Sequence, residues 1–227
     1  MAIVFDDLGL DRARTAAATR LRGPLTMSFM TYANDLAEQT EAARRAGHEL
    51  FLHVPMEAVD RDADPGPRGL FTTLSAEENL ARLRWGLGRT AGFVGINNHM
   101  GSKFTADAHS MMPVMEELRA RGLVFLDSRT SPASAGIRVA VAYGVPHAAR
   151  DVFLDDDQAP LSIARQLARL EQVARQHGSA IAIGHPHDTT IAALKAWLPL
   201  LGEKGFAQVP VSTVIRHRMA EEGEVRR

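Results

Sequence analysis

Two carboxylates stand side by side at Asp6 and Asp7, directly after the apolar run Ala2 to Phe5. Like charges held that close destabilise each other. A helix cap or turn needs one carboxylate and so explains only one of them. The pair suits a division of labour, in which one binds a cation and the other stands beside it as a base. The cation then removes the like-charge penalty. Further polar residues fall at comparable places: His53 after "ELFL" with Glu57 four residues on, Asn97, Asn98 and His99 after "FVGI", Asp127 and Asp155 each after "VFL", and His185 and His187 after "AIAIG".

Imidazole is both a common metal ligand and a common general acid or base near neutral pH. The chain has no cysteine, so the set Asp/Asp/His/(Glu or His)/His reads as a zinc or similar transition-metal site with nitrogen and oxygen ligands. His53 and Glu57 can present a nitrogen and an oxygen to one ion if the loop between them turns helically. Gly101, beside Ser102, offers backbone that a substrate can approach closely. His185 and His187 alternate, so on an extended backbone they point to opposite sides and only one need enter the site. Asp127 and Asp155 are each accounted for by a cap or turn. His48, His109, His147, His177 and His217 lie at helix ends or in polar stretches and receive no role. No Gly-x-Ser-x-Gly elbow, phosphate-binding loop or Gly-x-Gly-x-x-Gly fingerprint is present, which leaves serine-nucleophile chemistry and nucleotide cofactors without support.

Short apolar segments alternate with longer amphipathic ones, the pattern of a parallel α/β fold. Strands are expected at 2–5, 24–29, 48–52, 93–97, 123–127, 151–154 and 180–184, with a last one near 207–210. Helices are expected at 34–46, from the capping box at Ser75 and Glu78, at 107–121, at 161–177 and at 189–202. The polar residues then gather at the C-terminal ends of successive strands, where parallel sheets and barrels build active sites. The stretch 54–74, rich in Pro, Gly and Asp, is long enough to be functional or mobile. The tail "EEGEVRR" is expected to fray.

The 227 residues carry 26 basic and 27 acidic side chains, net charge −1. This balance argues against nucleic acid and anionic membranes as partners. No apolar run is long enough to span a bilayer. The N-terminus lacks the basic start of a signal peptide, yet the first strand begins at residue 2, as in a domain trimmed from a longer precursor.

The ordered motifs "IVFDDLG", "GHELFLHVPME", "GINNHMGS", "FLDSRT", "RDVFLDDD" and "IAIGHPH" resemble the divergent polysaccharide deacetylase family across essentially the whole chain. The resemblance implies a single domain over 1–227, an irregular (β/α) barrel of about seven parallel strands of the deacetylase type. It implies a metal-dependent hydrolase that removes an acyl group from a carbohydrate, bacterial and periplasmic or secreted. It makes Asp6 the general base, Asp7 a metal ligand, His53 the first metal histidine and His185 the general acid, with zinc as the expected ion. Glu57 occupies the place of the second metal histidine, and Asn97 to Ser102 replace an Arg-Pro-Pro-Tyr motif, so the third ligand is either His99 or Glu57. Asn97, Asn98, Met100 and Gly101 are then candidates for substrate and oxyanion contacts, with His187 and Asp127 at the margin of the site.

Overall fold

A computed structural model of the chain describes residues 1–225. Eight strands, β1 (Ala2–Leu8), β2 (Thr26–Met30), β3 (Glu49–Met56), β4 (Phe93–Met100), β5 (Val124–Asp127), β6 (His147–Ala149), β7 (Val152–Phe153) and β8 (Ile181–Gly184), form one sheet in the order β6-β5-β4-β3-β2-β1-β8-β7. Every pairing is parallel. The sheet curls into an irregular (β/α) barrel whose edges are the two shortest strands, β6 and β7. Only Arg150 and Asp151 separate them in sequence. Arg150 straddles this seam: its Nε donates to Ser128 O at 2.9 Å, and its guanidinium lies 4.7 Å from the Phe153 ring centre.

Among the described residues eight α-helices accompany the sheet: α1 (Arg12–Thr19), α2 (Leu36–Arg45), α3 (Ala76–Leu87), α4 (Ala108–Arg121), α5 (Gly136–Tyr143), α6 (Pro160–His177), α7 (Asp188–Trp197) and α8 (Val211–Val225). The expected capping at Ser75 is present, its side chain accepting from Glu78 N. Gly122 and Gly178 end α4 and α6 in the left-handed conformation. Helices α1, α5 and α8 and strand β6 were not expected. Residues 207–210, expected as a strand, instead run beneath β1, where Val209 N donates to Met1 O at 2.9 Å. The tail expected to fray continues α8 as far as Val225, and its last two residues, Arg226 and Arg227, lie outside the described residues. No helix among the described residues is long and apolar enough to cross a membrane.

Strand alternation sorts the core into an inner and an outer layer. Ile3, Phe5, Met27 and Phe29 face outward under the helices. Ala2, Val4, Phe51, Val124, Leu126, Ile181 and Ile183 point inward and pack with Val211, Val214 and Ile215 of α8, which plugs the bottom of the barrel. Each fully buried aliphatic side chain there contributes about 1.5–3 kcal/mol. Continuing the same alternation upward, the next inward positions are Asp6, His53, Ser128, Asp155 and His185, and Asn97 pairs in register with His53. An apolar floor therefore gives way to a polar layer at the C-terminal end of the strands. The long stretch after β3 is tied down beside that layer. Leu70 N and O bond Pro55 O and Glu57 N, both at 2.8 Å, Val59 N donates to Ser102 Oγ, and Arg68 stacks on Trp85.

Candidate metal centre and acid–base pair

Alternation alone would send Asp7 to the outside of the barrel. A register shift between Phe5 and Leu8 and a left-handed backbone at Asp7 (φ 56°) bring it back. Aspartate tolerates this conformation better than most residues. Asp6 and Asp7 thus face one volume from adjacent positions. Asp6 is 2 % exposed. Burial pushes its carboxyl above the usual range, against the pull of His53, His185 and Asn97. Burial acts on Asp7 in the same direction, but His53 and His99 outweigh it and hold that carboxyl far below the usual range.

Asn97 organises this volume from behind. Its Nδ2 donates to Asp6 Oδ1 at 2.8 Å and to Ser128 Oγ at 3.1 Å. Its Oδ1 meets His53 Nδ1 at 2.9 Å and accepts from Ser28 Oγ. An ionised Asp6 can only accept, so the amide NH2 faces Asp6 and the amide oxygen faces His53. His53 therefore carries a proton on Nδ1, and its Nε2 is turned to the carboxylates, 3.3 Å from Asp7 Oδ1 and 3.5 Å from Asp6 Oδ2. Burial disfavours a second proton on this ring, while the charges of Asp6 and Asp7 favour it more strongly and raise its pKa. The cluster calls for positive charge at that point, whether a proton or a cation.

His99 completes a set of three. Its Nδ1 lies 2.9 Å from Asp7 Oδ1, and its ring stands at 74° to that of His53 with centres 5.1 Å apart. Asp7 Oδ1 is buried, close to both imidazoles, and has no hydrogen-bond partner among the described residues. Two ligands of a tetrahedral ion, each bound at about 2.0–2.1 Å, are about 3.3 Å apart. Asp7 Oδ1 lies 3.3 Å from His53 Nε2 and 2.9 Å from His99 Nδ1, one ligand atom of each residue lies within 4.8 Å of the others, and the three offer the oxygen and nitrogen donors that a zinc-type ion takes. The residues fit the group.

A histidine–carboxylate pair lies opposite. His185 Nε2 points towards Asp7 Oδ2, 3.9 Å away, while His185 Nδ1 pairs with Asp155 Oδ1 at 3.0 Å. Asp155 Oδ2 accepts from His185 N at 2.6 Å and from Thr190 Oγ1 at 2.8 Å. Burial alone would lower the His185 pKa, but the Asp155 hydrogen bond and the charges of Asp6, Asp155 and Asp7 push it up to about 9. Burial would raise the Asp155 carboxyl, and its bonds to His185 and Thr190 hold it below the usual range. Phe153 meets the His185 ring edge-on, with centres 5.4 Å apart.

Several expectations need correction. Glu57 lies outside the cluster: Lys103 Nζ holds its Oε1 at 2.7 Å, and the Thr72 amide and hydroxyl hold its Oε2. Asn97 and Asn98 are both buried and do not reach the opening. Asn98 ties loops together, its Nδ2 donating to Met100 O at 2.7 Å and its Oδ1 accepting from Ser128 N at 2.9 Å. Asp127 faces away from the barrel interior, where it accepts from Arg129 N and Ser134 Oγ. Met100 and Gly101, at φ 51° and 88°, turn the chain at the rim beside His99. His187 was expected on the opposite side from His185. Instead a turn at Pro186, with His187 N donating to His185 O at 2.8 Å, brings the two rings to 5.8 Å. Asp155, Ser28 and Ser128 were missed as parts of the site. The alternation Phe153-x-Asp155 carries a signal for the first.

A family model described as divergent polysaccharide deacetylase matches residues 3–215. An uncharacterised protein of Haemophilus influenzae is 35% identical over 204 residues, which are 89% of this chain and 72% of that protein. The crystal structure of an uncharacterised Agrobacterium tumefaciens C58 protein superposes with TM-score 0.92 at 34% identity, covering 94% of this chain and 87% of that one. Two likenesses concern the fold alone. A family 4 carbohydrate esterase from Streptomyces lividans in complex with acetate gives TM-score 0.54 at 16% identity, covering 92% of this chain and 90% of its own. A family 4 pseudoenzyme from Bacillus anthracis gives TM-score 0.52 at 13% identity, covering 94% of this chain and 64% of its own.

Proposed function

The chain belongs to the divergent polysaccharide deacetylase family, and from that premise we propose that it is a metal-dependent hydrolase removing an N- or O-acyl group from a carbohydrate. One observation carries this reading: a buried Asp7 oxygen without a hydrogen-bond donor faces two imidazole nitrogens, with a second carboxylate and a carboxylate-paired histidine on either side. A divalent ion held by Asp7, His53 and His99, zinc by its donor set, would supply Lewis-acid polarisation of the acyl carbonyl and of a water.

The chain's own residues supply the rest. Asn97 holds Asp6 Oδ1, so Oδ2 is the oxygen that takes a proton from the attacking water. Burial, by raising its pKa, makes Asp6 a better base than an exposed carboxylate. As the water oxygen bonds to the acyl carbon, a backbone amide at the Met100–Gly101 turn stands near the developing oxyanion. The bond from the acyl carbon to the sugar nitrogen or oxygen then breaks. The leaving atom keeps the electron pair and takes the proton of His185 Nε2, while Asp155 stabilises the imidazolium and fixes the ring. The products are a free amine or hydroxyl and a carboxylic acid.

Asp6→Asn tests the assignment: turnover of an acetylated oligosaccharide should fall by at least about a hundredfold, with metal content by elemental analysis near wild type. Equal loss of metal in that variant overturns Asp6 as base. The second reading, an inactive carbohydrate- or envelope-binding domain on the same barrel, draws on the departures at Glu57 and at 97–102. A purified protein that takes up no transition metal would favour it.

A further inference from the structure

We propose that Asp155, His185 and His187 form a second and weaker cation position beside the first, and that filling it makes His185 a weaker acid. The inhibitory half of this proposal rests on the function read above; the binding half does not.

One ligand atom from each of the three residues lies within 4.8 Å of the other two. The set is two imidazole nitrogens and one carboxylate oxygen, again the donors that zinc accepts once the rings are deprotonated. It arises because the turn at Pro186 folds His187 back beside His185, at an interplanar angle of 40°. His187 has no part in the mechanism above, and its side chain makes no cap bond to α7. A cation entering here takes the place of the proton between His185 Nδ1 and Asp155 Oδ1. Ligated through Nδ1, the imidazole keeps its one proton on Nε2 but gives it up less readily than an imidazolium does, so the leaving group is protonated more slowly.

The two positions differ in strength for visible reasons. Asp7 Oδ1 has no donor to lose, whereas Asp155 already accepts from His185 N, His185 Nδ1 and Thr190 Oγ1. His187 also sits at the N-terminus of α7, whose dipole disfavours a cation. Losing one hydrogen bond and opposing the dipole together weaken the second position by at least about tenfold.

Calorimetric titration of the metal-free protein with zinc chloride should give two equivalents, the second weaker. His187→Ala should give one, and His187→Gln, which keeps side-chain bulk, should do the same, both with unchanged melting temperature before zinc is added. With acetylated oligosaccharide, wild-type turnover should rise through the first equivalent and fall through the second, while His187→Ala stays on its plateau. A single equivalent in the wild type, or two in His187→Ala, overturns the position. A second equivalent that leaves turnover intact overturns its effect on His185. Absence of any turnover counts against the proposed function, and the titration still decides the second position.

Discussion

Asp155→Asn separates a positioned acid from a histidine that merely lies nearby. Asp155 Oδ2 serves two donors, His185 N and Thr190 Oγ1, so the amide oxygen of asparagine takes that place and its NH2 turns to His185 Nδ1. Nδ1 must then accept, which moves the neutral ring's proton to Nε2 and removes the charge that favours imidazolium. The carboxylates around His185 lift it from 6.5 to about 9, worth ~3.4 kcal/mol at ~1.36 kcal/mol per pH unit. Asp155 shares this with Asp6 and Asp7. Losing a third to two thirds of it, ~1–2 kcal/mol, lowers the pKa by about one unit. A cation beside Asp7 lowers the starting value in the loaded enzyme without changing the sense of the difference. His185 must be protonated to act, so activity is lost as pH rises through its pKa, and the variant loses it about one unit earlier. The assay is kcat against pH on an acetylated oligosaccharide for both proteins. Below the alkaline limb kcat should also drop about 10–100-fold through the altered ring. An alkaline limb that stays in place refutes the reasoning.

Two further outcomes are expected. His99→Ala should weaken the tight zinc equivalent by at least about a hundredfold, whereas Glu57→Gln should leave it unchanged and reduce folding stability by ~1 kcal/mol through the half-exposed Lys103. Equilibrium dialysis against zinc distinguishes them, and the reverse ranking would restore Glu57 as ligand. Asn97→Leu strips partners from Asp6, His53 and Ser28 at a buried position, so urea denaturation of the metal-free protein should show a loss of ~2–4 kcal/mol. Wild-type stability in that variant would mean that the amide is not the organising group.

The strand–helix alternation and the polar strand ends were legible because each is written in a few consecutive residues. Asp6-Asp7, His53, His99 and His185 could be gathered from that alone. Asp127 and Asp155 show where local reading stops. Both follow the string Val-Phe-Leu, yet in β5 the inward residues are Val124 and Leu126, and in β7 the inward residue is Phe153. One aspartate therefore points out and the other in. That choice is set by how a short edge strand meets the barrel, which no window of ten residues contains. Glu57 was misjudged because Lys103, its partner, lies 46 residues away. Helix α8 escaped notice because its apolar face is needed only once the curled sheet presents an interior to fill. The His187 expectation failed because β8 ends at Gly184, so a rule for extended chain was applied to a turn.

The inward phase of β1 has a consequence for which changes this chain can absorb. Ala2, Val4 and Asp6 share one side, and Ile3 and Phe5 share the other. Inserting or deleting one residue between them would carry the carboxylate out among the helices and draw a phenylalanine into the polar layer. Outside Asp6 and Asp7 the opening strand is thus tolerant in spelling but rigid in length, while the segments on the barrel's outer face can change length with far less effect on the chemistry.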